Sequence, residues 1–167
     1  MKTLFLLLLI PSYFQLQAQD NPLVEIYLLK NRISTIENRN WPSSVVNHFY
    51  ANSNDLLDTA FIKDSEIISY DSSTFKLKVT KSASLKIAYL EPPIPKGIQF
   101  VITVNKEPVL NGYFINKFTS IPVFSYMIMN HADSVYTIDR LMPDVIIDDR
   151  KGQKLIDNLL STGRMKK

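Results

Sequence analysis

The sequence predicts an α+β protein, with a single mixed, mainly antiparallel sheet and one or two helices packed on one face of it. Short apolar runs rich in β-branched and aromatic residues recur along the chain, as is typical of strands. Two segments instead place apolar residues at helical spacing. Polar turn residues separate the runs, and no internal repeat is visible, which favours one ordinary domain over a repeat array.

The first twenty residues predict a secretory signal peptide. Lys2 precedes the uninterrupted apolar run 4–10, and the small residue Ala18 stands at a plausible cleavage point. Pro11 ends the run well short of the roughly 20 apolar residues that cross a bilayer, which favours a cleaved leader over a membrane anchor. We therefore expect a leader over residues 1–18 and a single domain over residues 19–167, periplasmic or secreted.

The cysteine content and the charge of the chain argue against a disulfide scaffold and against a nucleic-acid-binding protein. The chain has no cysteine, so its stability must come from packing rather than from disulfides. Its formal net charge is only +3, and the basic residues are scattered rather than gathered in a stripe with aromatics, which argues against a nucleic-acid partner. The final "RMKK" is predicted to be a solvated, frayed terminus.

The N-terminal third predicts one strand and one uncertain stretch. "PLVEIYLLK", residues 22–30, is an apolar run with polar bounds and is typical of a first strand. The asparagine-rich residues 31–60 interrupt any long period, and allow one short helix starting near Ser43 or Ser44. Trp41 is expected to cover the edge of the core.

The next stretch, residues 64–90, has a clearer pattern. Residues 67–70 indicate a turn or short strand, and "FKLKV", residues 75–79, alternates apolar residues with lysines as a half-buried strand does. In "TKSASLKIAYL", Thr80 is a suitable cap for a helix with Ala83 and Ile87 on one face. The alternation of Leu85, Ile87 and Tyr89 leaves a strand as the alternative for residues 80–90.

A hairpin is predicted after the proline-rich "EPPIPKG". Its arms are Phe100–Val104 and Val109–Phe114, joined by the four residues Asn105–Pro108. Gly112 in the second arm predicts a bulge or a close approach by another backbone.

A second hairpin and a final helix complete the expected elements. Residues 123–129 and 134–138 are apolar runs joined by the polar turn 130–133. In the helix that follows, one apolar stripe is predicted to contain Leu155, Ile156, Leu159 and Leu160. Gly163 lies where a left-handed cap is expected.

The order of "FKLKV", "TKSASLKIAYL" and "FVITVNKEPVLNGYF" resembles the head subdomain of the periplasmic first domain of SecD, the protein-export subunit. The resemblance covers residues 61–120 and implies a mixed sheet with helices on one face. This chain has no transmembrane segments of the SecD kind, and "EPPIP" replaces the usual approach to the hairpin, so the resemblance carries the fold and not the export role. The layout also resembles small secreted bacterial proteins of unknown function.

Chemical motifs are sparse, so the sequence predicts no enzymatic activity, no catalytic residues and no cofactor. His48 and His131 lie in no recognisable catalytic frame, and the chain contains no GxSxG, HExxH or glycine-rich phosphate loop. The rival hypothesis is a metal-dependent hydrolase using the carboxylates of Asp139, Asp144, Asp148 and Asp149, which suit Ca²⁺ or Mg²⁺. Their spacing matches no EF-hand and basic residues flank them, so no metal site is predicted.

Partner binding is the preferred function, either of another envelope protein or of an extended peptide. If the second arm of the first hairpin lies at the edge of the sheet, a peptide could add there as a further strand. The alternative is that the aromatics of this region are core residues under a covered arm. A third hypothesis is a carbohydrate or small-ligand binder that uses Trp41, Tyr50 and the hairpin aromatics. The candidate peptide-binding residues are Gly112, Tyr113, Phe114, Phe118, Phe124 and Tyr126.

Overall fold

The computed structural model describes residues 22–34, 49–71, 73–74, 76–93, 97–115, 126–129, 135–139 and 149–166. The strands in these ranges are β1 (Val24–Leu28), β2 (Ile67–Asp71), β3 (Lys76–Val79), β4 (Ile98–Val104), β5 (Glu107–Phe114), β6 (Tyr126–Met129), β7 (Val135–Asp139) and β8 (Met165–Lys166). The helices are α1 (Lys81–Ala88) and α2 (Asp149–Ser161). The predicted α+β class is confirmed, whereas the helix expected near Ser43 lies outside the described residues.

Neighbouring strands are hydrogen-bonded in the order β1-β4-β5-β6-β7-β3-β2-β8. The pairs β5–β6 and β2–β8 are parallel, and the other five pairs are antiparallel. The sheet is therefore mixed and mainly antiparallel, as predicted. The second predicted hairpin is also confirmed, because β6 pairs antiparallel with β7.

The turn between β4 and β5 is tighter than the sequence predicts. Asn105 and Lys106 alone connect the strands, with φ angles of 53° and 62°. Two consecutive positive φ angles are typical of the hairpin turns whose twist matches that of the flanking strands. The predicted four-residue connection was wrong because Pro108 belongs to β5, where it pairs with Thr103 beside a register shift that accommodates a residue without an N–H.

Both helices pack on the same face of the sheet. Ala83 and Ile87 of α1 and Leu155 and Leu159 of α2 are buried and join one apolar cluster. The strands contribute the remaining buried members, which include Val24, Ile26, Leu77, Val79, Phe100, Ile102, Phe114 and Tyr136. Burial of these side chains is the main favourable term for the fold.

Helix α1 resolves the ambiguity of residues 80–90. The side chain of Thr80 accepts a hydrogen bond from the backbone N–H of Ala83 at 3.3 Å, which satisfies one of the donors left over at a helix start. The alternative strand is excluded, and Leu85 on the helix and Tyr89 directly after it are exposed, by 49% and 83%.

The final helix follows the prediction with one exception. Gly163 has a φ of 67° just past the end of α2, so the predicted left-handed cap is confirmed. Leu160, however, is 42% exposed and does not share the buried stripe of Leu155 and Leu159. It lies about 100° around the helix from Leu159, which turns it away from the sheet.

On the other face of the sheet, the described residues form a second apolar cluster over β1, β4 and β5. Tyr27, Val101 and Tyr113 pack there against Phe49 and Leu56. The segment that supplies this cover also continues the sheet beyond β1 through isolated bridges between Ile26 and Ile62 and between Leu29 and Leu56. These three strands are therefore buried on both faces.

Strand β8 was not expected from the sequence. The "RMKK" segment was predicted to be frayed, but Met165 and Lys166 pair in parallel with Tyr70 and Asp71 of β2. This correction matters for function, because β8 lies on the outer edge of β2.

Candidate functional site: the outer edge of strand β2

Among the described residues, strand β2 is paired on its outer side over only part of its length. Of its residues, Tyr70 and Asp71 pair with β8. Ile68 is the extra residue at the register shift between β2 and β3, and its side chain is 45% exposed. Within the described ranges, no named strand other than β8 pairs with this edge. An edge of this kind offers backbone groups to an added strand.

The backbone and side chain of Arg164 hold β8 on this edge. The Arg164 carbonyl accepts a hydrogen bond from the backbone N–H of Tyr70 at 2.9 Å. Its Nη1 lies 2.8 Å from Asp64 Oδ1 and also donates to the Asp64 carbonyl at 3.2 Å. The Arg164 and Asp64 side chains are 15% and 27% exposed, so the pair is only partly open to solvent and to screening by salt.

Asp64 is also tied to the other end of the strand order. Its Oδ1 accepts the backbone N–H of Val24, the first residue of β1, at 2.7 Å. Asn158 of α2, which is 4% exposed, adds a second link by donating from Nδ2 to the Pro22 carbonyl at 2.7 Å. The Asp64 carboxylate therefore contacts the beginning of β1 and the Arg164 side chain next to β8, and Asn158 of α2 contacts the same arginine.

The outward face of β2 and β3 is charged. Lys76 and Lys78 of β3 are exposed, while the alternate residues Leu77 and Val79 are buried as predicted. Asp71 lies opposite Lys76 on one side and opposite Lys166 on the other. An acid between two cations is a favourable cross-strand arrangement.

The charge on Asp71 is fixed by the turn that follows β2. Its Oδ1 accepts hydrogen bonds from the Ser73 hydroxyl at 2.7 Å, the Ser73 N–H at 2.9 Å and the Thr74 N–H at 3.1 Å. These bonds, the Ser73 hydroxyl foremost, lower the pKa of Asp71 to about 2. The carboxylate is therefore ionised throughout the physiological range.

The predicted peptide-binding strand lies elsewhere in the sheet. β5 pairs with β4 on one side and β6 on the other, so it is not an edge strand. Gly112 lies between Phe100 and Tyr126, in regular register rather than at a bulge. Tyr113 and Phe114 are 1% and 2% exposed. The prediction of strand addition at this site is therefore wrong for Gly112, Tyr113 and Phe114, because their strand is paired on both sides there.

The remaining predicted residues are only partly described. Tyr126 is described by its backbone in β6, and Phe118 and Phe124 lie outside the described residues. Asp139 ends β7 and Asp149 begins α2, so they are placed by backbone alone. Tyr50 is 67% exposed. Those that lie outside the described ranges are Asp144, Asp148, His48, His131 and Trp41.

Two negative findings concern the described part of the chain. No group of three or more histidine, aspartate or glutamate side chains stands close enough there to hold a metal ion. None of its helices combines the length and the apolar character that a bilayer crossing needs.

Sequence reasoning missed the residues that build this edge. Arg164 and Asp64 are 100 positions apart, and no local pattern connects an isolated arginine with an isolated aspartate at that separation. Strand β8 has two residues, too few for an alternation to be recognised. A weak signal was present in Gly163, because a helix cap by glycine means that the chain turns back after α2.

Comparisons with models of protein families, with curated proteins and with solved structures found no match for this chain. The resemblance of residues 61–120 to the SecD head subdomain stays a prediction.

Proposed function

We propose that this protein is an exported, non-enzymatic binding protein that takes an extended segment of another envelope protein as an added strand on the outer edge of β2. The observation that carries the proposal is the pairing of β8. A short extended segment already lies on this edge in parallel, and it covers only Tyr70 and Asp71. Main-chain hydrogen bonds to an edge strand are a recurring mode of peptide capture.

The surroundings of the edge also support this proposal. The neighbouring outward face carries Lys76 and Lys78, and the described residues place no cover over it comparable to the segment that covers β1, β4 and β5. Ile68 adds an exposed apolar side chain beside the backbone groups of the edge. The export and non-enzymatic parts of the proposal rest on the leader and on the sparse motifs of the sequence.

A peptide selection with mapped cross-links tests the proposal. A random peptide display library is selected on the full chain, and the enriched peptides are cross-linked to variants that carry a photoreactive phenylalanine analogue. One variant replaces Ile68 at the β2 edge. The matched control replaces Tyr89, which is the more exposed of the two and directly follows α1.

We expect the enriched peptides to cross-link at position 68 and not at position 89, through residues that are extended in the adduct. Cross-links at position 89 alone, or selected peptides that never react at position 68, would contradict the proposal.

A further inference from the structure

We infer that β8 is a resident occupant of the β2 edge, and that β8 with the preceding Arg164 gives the chemistry of the partner segment: a guanidinium, then an apolar side chain, then a second cation. This inference rests on the proposed function and specifies its ligand. It also makes β8 an intramolecular competitor of that ligand.

The first subsite is the carboxylate of Asp64. Its position does not depend on β8, because the N–H of Val24 also donates to Oδ1. When Arg164 leaves, a half-buried negative charge remains without its guanidinium, which favours any cation that can return the contact. Arginine fits better than lysine, since its Nη1 donates to the carboxylate and the carbonyl of Asp64 while its Nη2 donates to Asn158 Oδ1 at 3.4 Å.

The second subsite is apolar. Met165 is partly buried and packs against the main core cluster, to which Tyr70, its partner in the β2 register, also contributes. An unbranched side chain such as methionine adapts well to an irregular gap of this kind. A polar residue at this position of a ligand would lose that contact.

The third subsite is Asp71, which lies opposite Lys166. Its carboxylate is held charged by the Ser73 and Thr74 donors. A cation at the third position of the ligand thus meets a fixed negative charge, whereas an acid there would meet Asp71 with like charge.

While β8 of the same chain occupies the β2 edge, the apparent affinity of that edge for a segment of another protein is lowered. The competing segment follows Gly163 directly, so its effective concentration at the edge is high. The apparent dissociation constant is the intrinsic value divided by the fraction of molecules whose edge is open. Substitutions that weaken β8 should therefore strengthen ligand binding.

The test uses the full chain and a fluorescent peptide with the sequence of residues 161–167. We compare the unchanged chain with the double variant Arg164→Ala, Met165→Ser, in which both anchors of β8 are removed. Binding is followed by fluorescence anisotropy, and amide hydrogen exchange reports on the N–H of Tyr70, which Arg164 protects. Lys154→Ala is the matched control, because it removes an exposed cation of α2 that pairs with Glu107.

We expect the double variant to bind the peptide at least about tenfold more tightly than the unchanged chain, as an opened edge requires. Exchange at Tyr70 should quicken in this variant and slow again when the peptide is added. Asp64→Asn, which keeps an oxygen for the Val24 N–H but removes the charge, should abolish the gain. A peptide with alanine in place of its arginine should show no such gain in affinity for the double variant. The Lys154→Ala variant should bind the original peptide as the unchanged chain does.

Equal binding by the unchanged chain and the double variant would overturn the inference, and so would a gain that survives Asp64→Asn. If the double variant unfolds, Arg164→Ala alone decides, because it leaves the Met165 contact in place. Library peptides that cross-link at position 68 without an Arg-apolar-cation pattern would refute this inference while leaving the proposed function standing. Failure of every peptide at position 68 would defeat both.

Discussion

The two ends of the strand order differ in how many faces they bury. β1, β4 and β5 are covered by helices and the main cluster on one face and by Phe49 and Leu56 on the other. β2 and β3 bury one face and turn Lys76 and Lys78 outward on the other. The first region is built as a core, whereas the described residues leave a face and part of an edge of the second accessible. Binding is therefore best sought in the second region, since ligand-binding elements come from the less stable parts of a fold.

The two regions also differ in how they hold polar groups. In the doubly buried region the ion pairs Lys30–Asp58 and Lys154–Glu107 are exposed, and a neutral side chain makes a buried contact. Gln99, which is 5% exposed, bonds to the N–H and the carbonyl of Ile33 at 2.8 and 2.9 Å. The other region relies on ion pairs, in which Lys86 Nζ lies 2.8 Å from Glu66 and Arg164 lies 2.8 Å from Asp64. Partial burial raises the pKa of Glu66, but the stronger combined effect of the Lys86 and Lys63 N–H donors lowers it. Salt should therefore screen the exposed pairs of the first region more than the partly buried pairs of the second.

The largest contrast between the regions is expected from truncating a side chain in each. Phe114 is 2% exposed and contacts the rings of Phe61 and Phe100 at centroid distances of 5.7 and 4.8 Å. Phe114→Ala should lower the free energy of unfolding by about 3–5 kcal/mol, through lost burial and the cavity that remains. Lys78→Ala should change it by less than about 0.5 kcal/mol. Urea unfolding measures both, and comparable losses would remove the distinction between the regions.

Two glycines with the same backbone conformation give the next contrast. Gly97 has a φ of 61° and Gly163 a φ of 67°, so alanine at either position costs about 1–2 kcal/mol. A Cβ at Gly97 would lie 2.8 Å from the Phe114 carbonyl oxygen, whereas one at Gly163 would meet nothing within 4 Å. Gly97→Ala should therefore cost clearly more than Gly163→Ala in thermal unfolding. Equal costs would mean that the packing around β5 yields more readily than its burial indicates.

A smaller change in the free energy of unfolding is expected at Asn158 of α2, which contacts Pro22 before β1 and Arg164 before β8. Asn158→Ala leaves the Pro22 carbonyl without its donor and removes the contact with Arg164, which should cost about 1–3 kcal/mol. The neighbouring Asp157 is exposed and bonds to Gln153 through its side chain, so Asp157→Ala is a matched control with an expected change below about 0.5 kcal/mol. Chemical denaturation distinguishes them, and an Asn158→Ala variant as stable as the control would show that β1 needs no link to α2.

Local pattern predicted most of the elements but not the positions of the strands in the sheet. The lysines that alternate with Leu77 and Val79 identified β3, and Thr80 with Ala83 and Ile87 identified α1, because each signal lies within a few residues. The strand order depends on contacts between distant parts of the chain. Whether β5 is an edge or a central strand is decided by β6, and nothing in the sequence of β5 reports that neighbour.

The candidate site was hidden for the same reason. The aromatics at Tyr113 and Phe114 suggested binding, but buried aromatics and binding aromatics look alike in a sequence. Asp64 and Arg164 are common surface residues until folding places them 2.8 Å apart. The Asp64–Arg164 pair gave no signal in the sequence. Gly163 did, because a glycine in a left-handed cap indicates that the helix ends there and that the chain changes direction after α2.

The finest contrast concerns pH, because the two regions respond at opposite ends of the scale. Burial, aided by the Glu25 carboxylate 2.8 Å from the phenol, raises the pKa of Tyr27 from 10.0 to about 12. A raised pKa means that the folded state keeps the proton longer, so the stability is complete below pH 10 and declines as pH rises toward 12. The pKa of Asp71 is instead lowered from 3.8 to about 2, so its contribution to stability is complete above about pH 4 and is lost as pH falls to 2.

The stability advantage of the unchanged chain over Tyr27→Phe should shrink only between pH 10 and 12, and its advantage over Asp71→Asn only between pH 4 and 2. Urea unfolding across both windows measures the differences, and a difference independent of pH for either variant would show that the hydrogen bonds named here do not set that pKa.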